Sequence, residues 1–136
     1  MQSPKYDLDM VKTTVSSWLK GNYESGWFSA PSCSIDYVIH IFNCTNSTAE
    51  KIVLEGLMKL ETKNYYQRKS MWGDIVDEYG LSNYLGHNWY VKFMVGEDKV
   101  LEEISFHPCE KDMVLANGKV LFTTIDDHMI PAWRKN

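Results

Sequence analysis

The sequence predicts an α+β domain in which N-terminal helices pack on a C-terminal antiparallel β-sheet. Apolar residues up to about position 62 recur at helical spacing. After Asn64 the texture changes to alternating aromatic and β-branched residues, and the breaks there are short turn signals such as Gly80 and Asn117-Gly118. Helices first and strands afterwards segregate into layers rather than interleave. At 136 residues, with 44% apolar and 24% charged residues, the whole chain, 1–136, fits one domain around one core, with no repeat or linker.

The elements follow in order. Leu8, Val11, Val15, Trp18 and Leu19 form the apolar stripe of a first helix, with Asp7 as N-cap and Gly21 just past its end. A loop containing Gly26 and Pro31 leads to Ile35, Val38, Ile39 and Phe42, read as a short helix although DYVIHIF also suits a strand. Ser47-Thr48-Ala49-Glu50 has the pattern of a capping box ahead of Ile52, Val53, Leu57 and Leu60, giving a third helix over about 48–62. Tyr65, Tyr66, Trp72, Ile75, Val76 and Tyr79 then favour extended structure, with Gly80 as a break. Strands follow at 89–95 and 100–107, and a last one near Val120, Leu121, Phe122 and Ile125.

Composition narrows the function classes. A net charge of −4 argues against a broad basic surface that wraps nucleic acid, but the acidity lies in the second half. Residues 1–70 hold 8 Lys+Arg against 7 Asp+Glu, and residues 71–136 hold 6 against 11, which leaves room for a local basic site. No apolar run of 18 residues exists and MQSPKYDLDM lacks the regions of a signal peptide, so the expectation is a cytoplasmic chain with no membrane partner. Cys33, Cys44 and Cys109 are read as reduced thiols, and no metal-ligand spacing or nucleotide-binding loop is present, so no cofactor or metal is expected.

WYVKFMVGEDKVLEEISFH, residues 89–107, is the informative stretch. A two-residue turn at Asp98-Lys99 sets Val91 opposite Phe106 and Phe93 opposite Ile104, with Val95 opposite Glu102. The other face then pairs Tyr90 with His107 and Lys92 with Ser105, so that a phenol, an ammonium, a hydroxyl and an imidazole share one face. Slipping the register by one residue breaks the apolar face with Glu103.

WYVKF followed by ISFH resembles the last hairpin of the MqsR toxin family. Further likenesses are Tyr6-Asp7-Leu8 before Val11-Lys12, Leu60 before Tyr65-Tyr66, Lys69-Ser70-Met71, and Trp72-Gly73-Asp74 with Ile75 and Tyr79 behind, covering about residues 5–107 in order. The resemblance implies a RelE-like α+β fold and a toxin of a bacterial type II toxin–antitoxin pair that acts as an endoribonuclease on mRNA. Its partner would be a cognate antitoxin, a DNA-binding helix-turn-helix protein. Gly73 stands where the family has glutamine and His107 where it has lysine, the family's lysine after the tyrosine pair can correspond to Gln67 or to Lys69, and residues 108–136 form a C-terminal extension without a matched counterpart.

Cutting RNA without a metal requires a group that takes the 2′-OH proton and cations that stabilise the extra negative charge of the phosphorane. The expected catalytic residues are His107, Lys69 and Tyr90, and the expected phosphate-binding residues are Arg68 and Lys92. The alternative reading is non-enzymatic: an acidic immunity or interaction protein that neutralises a basic nuclease toxin by charge complementarity.

Overall fold

The computed structural model describes residues 3–21, 32–96 and 101–134. The loop around Gly26 and Pro31 and the Asp98-Lys99 turn lie outside these residues. Helix α1, Leu8–Leu19, starts where the Asp7 carboxylate accepts a hydrogen bond from the Asp9 backbone N–H, and it ends at Gly21, whose φ of 86° suits glycine. The ambiguous DYVIHIF segment is helical, within α2, Ser32–Phe42. Helix α3, Asn46–Met58, begins earlier and ends sooner than expected. The cap is Thr45, whose hydroxyl oxygen accepts from Thr48 N–H at 3.2 Å, and not the Ser47–Glu50 box; at the other end the C-cap is Lys59, ahead of Leu60.

Four strands then form an antiparallel meander: β1 Tyr65–Met71, β2 Asp74–Tyr84, β3 His87–Val95 and β4 Leu101–Pro108, in spatial order β1-β2-β3-β4. The domain is thus α+β, three helices against a four-stranded antiparallel sheet. Side chains alternate between sheet faces. Tyr65, Tyr79, Leu81, Trp89, Val91, Phe93 and Phe106 join Val11, Val15, Trp18, Val38, Val53, Leu57 and Leu60 in one core between sheet and helices. Gly56 of α3 gives this core its closest approach, because a Cβ there would lie 2.4 Å from Phe106 Cζ and 2.9 Å from Tyr84 Cε2.

Three of the expected cross-strand pairs hold: Val91–Phe106, Tyr90–His107 and Lys92–Ser105. The expected Phe93–Ile104 pair falls at a register shift between Lys92 and Met94, after which Val95 faces Leu101 instead of Glu102. The shift has a physical reason: it places the apolar Leu101, 2% exposed, in the core beside Val95. Edge strand β4 is flanked by α2, and Ser34 Oγ accepts the outward Phe106 N–H at 3.3 Å.

The far sheet face is partly roofed by the C-terminal segment. After β4 the chain forms a small hairpin, β5 Met113–Val114 and β6 Val120–Leu121, closed at the expected Asn117-Gly118 turn. The expected strand through Phe122 and Ile125 stops at Leu121. Cys109, Met113, Leu115 and Leu121 make a second, smaller core against Tyr66 and Tyr90. Gly80 is no break. It lies inside β2, and its missing side chain admits the roof, since a Cβ would stand 2.6 Å from Leu121 Cδ1 and 2.8 Å from Leu115 Cδ2. No helix among the described residues is long and apolar enough to cross a membrane.

Candidate functional site

Strand alternation dictates what the unroofed part of this face carries. Gln67, Lys69 and Met71 of β1 fall beside Glu78 of β2, then Tyr90 and Lys92 of β3, then Ser105 and His107 of β4, because Gln67–Glu78, Glu78–Lys92, Lys92–Ser105 and Tyr90–His107 are register partners. The roof and α2 close the sides. The result is a cleft of about 590 Å³ lined also by Tyr37, Glu110, Lys111, Asp112, Trp133 and Arg134.

His107 is held on three sides. Its ring stacks on Tyr37 at 5.3 Å and 13°, Tyr90 lies 5.2 Å away at 36°, and Nδ1 is 2.8 Å from the Pro108 carbonyl oxygen. A carbonyl only accepts, so the proton sits on Nδ1 and Nε2 keeps its lone pair. Burial lowers the imidazole pKa below its ordinary value. The Pro108 bond and the charge of Glu110 oppose this, Arg134 and Lys92 reinforce it, and the net direction is down. At neutral pH His107 is therefore an uncharged base.

Tyr90 is placed for support more than for contact with a ligand. Its hydroxyl donates in a short hydrogen bond to Glu78 Oε2, while Gln67 Nε2 donates to Glu78 Oε1 at 2.7 Å. Burial, then the Glu78 hydrogen bond and charge, raise the phenol pKa, so the proton stays on Tyr90. Glu78 is only 3% exposed, and with both carboxylate oxygens occupied it fixes β1, β2 and β3 side chains in one row.

A second carboxylate stands beside the histidine. Glu110 accepts from the Tyr37 hydroxyl at 2.8 Å and from the Arg134 guanidinium at 3.1 to 3.3 Å. Burial pushes its pKa up, but the hydrogen bonds from Arg134 and Tyr37, with the charges of His107 and Arg134, outweigh burial and hold it below the usual carboxylate value. Tyr37 is shifted upward, first by burial and then by Glu110.

Four of the five residues expected from sequence, His107, Lys69, Tyr90 and Lys92, thus line one cleft. Arg68 does not. It points away from that face, with Nε and Nη2 donating to the Ser3 carbonyl at 3.0 and 2.7 Å, and so ties the N-terminal segment to β1. His87, the first residue of β3, meets Thr124 Oγ1 through Nδ1 at 2.8 Å. Sequence reasoning missed Glu78, Glu110, Tyr37 and Arg134. For Glu78 there was a signal: an acid inside the apolar extended run from Ile75 to Leu81, one register step from Lys92. For Glu110 and Arg134 there was none, because a bend after β4 and a distant 3₁₀ turn, Ala132–Arg134, bring them together.

The cleft's charges divide unevenly. Its carboxylates are engaged internally: Glu78 and Glu110 as above, and Asp112 through Thr123 N–H at 2.8 Å. Its lysines are not. Among the described residues Lys69, Lys92 and Lys111 take part in no salt bridge, and Lys92 Nζ reaches only Met71 Sδ, at 3.4 Å. No group of three or more His, Cys, Asp or Glu gathers as a metal site among the described residues. Such an arrangement can bind an anion and move a proton beside it. Compared with protein-family models, with curated proteins and with solved structures, the chain matches none.

Proposed function

We propose that the protein is a metal-independent endoribonuclease, the toxin of a bacterial type II toxin–antitoxin pair, similar to the MqsR family and RelE-like in arrangement. The observation that carries the reading is an uncharged imidazole, His107, in the same cleft as lysines that hold no salt bridge, Lys69 and Lys92. His107 Nε2 takes the proton of a ribose 2′-OH. The 2′ oxygen bonds to phosphorus, the bond to the 5′ oxygen breaks, and the Lys69 ammonium gives that oxygen a proton, which the proton taken up by His107 replaces through solvent. Lys69 and Lys92 offset the charge that builds on the phosphorane. Tyr90 and Tyr37 hold the imidazole, and the products are a 2′,3′-cyclic phosphate and a free 5′-hydroxyl. An antitoxin partner belongs to the same reading.

The test is direct. Induced expression arrests bacterial growth, purified protein cuts RNA in the presence of EDTA, and His107→Ala abolishes both. Harmless expression together with intact RNA refutes the reading. The non-enzymatic alternative, an interaction protein that blocks a basic nuclease, is favoured by one observation: Val114, Val120 and Phe122 expose an apolar strip, 54%, 39% and 62% accessible, on the roof hairpin in the acidic half. Inhibition of a basic nuclease by a chain that itself cuts no RNA decides for that alternative.

A further inference from the structure

Met71 and Asp74 close β1 on β2 through a two-residue turn, Trp72-Gly73, in which both φ angles are positive, 50° and 88°. Primed turns of this kind favour asparagine or aspartate followed by glycine, because a left-handed backbone brings an ordinary Cβ too close to the carbonyl. Tryptophan is therefore a poor residue for the turn. It also gains nothing from the core, since Trp72 is 97% exposed and is the most exposed of the large apolar side chains described. Strain and an unburied indole both weigh against folding, so neither the turn nor the core accounts for the residue.

What lies beside it indicates the partner. Lys69 and Met71 precede Trp72 on the cleft face of β1, and Lys92 Nζ rests 3.4 Å from Met71 Sδ. Three residues of strand, at about 3.3 Å each, set Trp72 roughly 10 Å from Lys69. The lysines carry the charge complementary to phosphate, whereas the cleft's carboxylates are turned inward on Tyr37, Gln67, Tyr90, Arg134 and the Thr123 amide. An indole on a hairpin tip offers an open π-face, which an unpaired base can cover and a base inside a duplex cannot.

We infer that Trp72 is a stacking subsite for an unpaired nucleobase next to the phosphate held by Lys69 and Lys92, so that the ligand is single-stranded RNA laid along β1 from the cleft to the hairpin tip. The inference rests on the ribonuclease reading and specifies its substrate class.

The experiment uses the full chain and a labelled, uncleavable 2′-O-methyl RNA heptamer of mixed sequence, with fluorescence anisotropy as the readout. Trp72→Asn suits the turn better than tryptophan, so its thermal midpoint equals or exceeds the parent's and loss of binding is not loss of fold. Its affinity falls by roughly 5- to 150-fold, the loss of one base stack. Trp72→Phe keeps most of the affinity. Heptamers with abasic positions lose the difference between parent and Trp72→Asn. If the parent binds and cuts RNA while Trp72→Asn binds equally well, the stacking subsite is wrong and the ribonuclease reading stands. If the parent neither binds nor cuts RNA, both fall. Unchanged RNA binding with loss of a protein complex overturns the subsite in favour of a protein anchor.

Discussion

Replacing Gly56 by alanine tests whether the helix–sheet contact that positions β4 is as close as described. In an isolated helix the change is favourable by about 1 kcal/mol. Here the new methyl carbon would meet Phe106 Cζ at 2.4 Å, Phe106 Cε2 at 2.8 Å and Tyr84 Cε2 at 2.9 Å. Non-bonded carbons need about 3.5 to 4.0 Å, so the Phe106 ring must retreat by more than 1 Å. It has nowhere to go, because Trp89 packs on it at 4.8 Å and Tyr84 edges it at 6.2 Å, all three buried. Overpacking of this kind costs about 3 kcal/mol, at the upper end of the usual range, which leaves about 2 kcal/mol of net destabilisation. With an unfolding entropy near 0.3 kcal/mol per kelvin for a chain of this length, the thermal midpoint drops by about 7 °C. Calorimetry and urea titration measure the stability. A variant as stable as the parent, or more stable, would mean that α3 and β4 are farther apart than described and that the reasoning fails.

Three further outcomes follow from the site. His107 has a folded pKa below its ordinary 6.5, so the unfolded chain binds more protons in that window. Stability is therefore full above about pH 6.5 and declines as pH falls toward the folded value, and His107→Gln flattens that slope in urea titrations across pH 7 to 5. Glu110, also lowered, contributes stability above the ordinary carboxylate range that is lost at more acid pH. Arg134→Ala removes part of that acid-end slope while changing stability at pH 7 by no more than about 1 kcal/mol, since the ion pair is half-exposed. Glu78→Gln leaves either the Gln67 amide or the Tyr90 hydroxyl without an acceptor, costing about 1 to 3 kcal/mol, and spectrophotometric titration shows the Tyr90 phenol ionising at lower pH.

Periodicity made the fold class legible because burial on one face is a local property of sequence: Val11, Val15 and Trp18 in α1, and Trp89, Val91 and Phe93 in β3, mark their faces without reference to anything distant. Pairing was legible at Val91–Phe106, where both sides are apolar, and not at Phe93, where a shift of one residue brings in Leu101. Gly80 was misread because a glycine that admits a distant hairpin looks in sequence like one that ends a strand. The cleft was legible where it lies on adjacent strands, as with Tyr90, Lys92 and His107. It was illegible where it depends on contacts of high sequence separation, such as Tyr37 with Glu110, 73 residues apart. Arg68 misled because a cation beside Lys69 on a strand points to the opposite face.

The roof's apolar cluster is separate from the main core; among the described residues its buried members are Cys109, Met113, Leu115 and Leu121, packed on Tyr66 and Tyr90. Four side chains close the roof with far less free energy than the twenty buried residues, among those described, that hold helices to sheet. Opening of residues 109–121 is then a local event, visible in amide exchange ahead of global unfolding. Such opening would widen the cleft on the side of residues 109–121 and leave in place the strand pairing that aligns His107 with Tyr90.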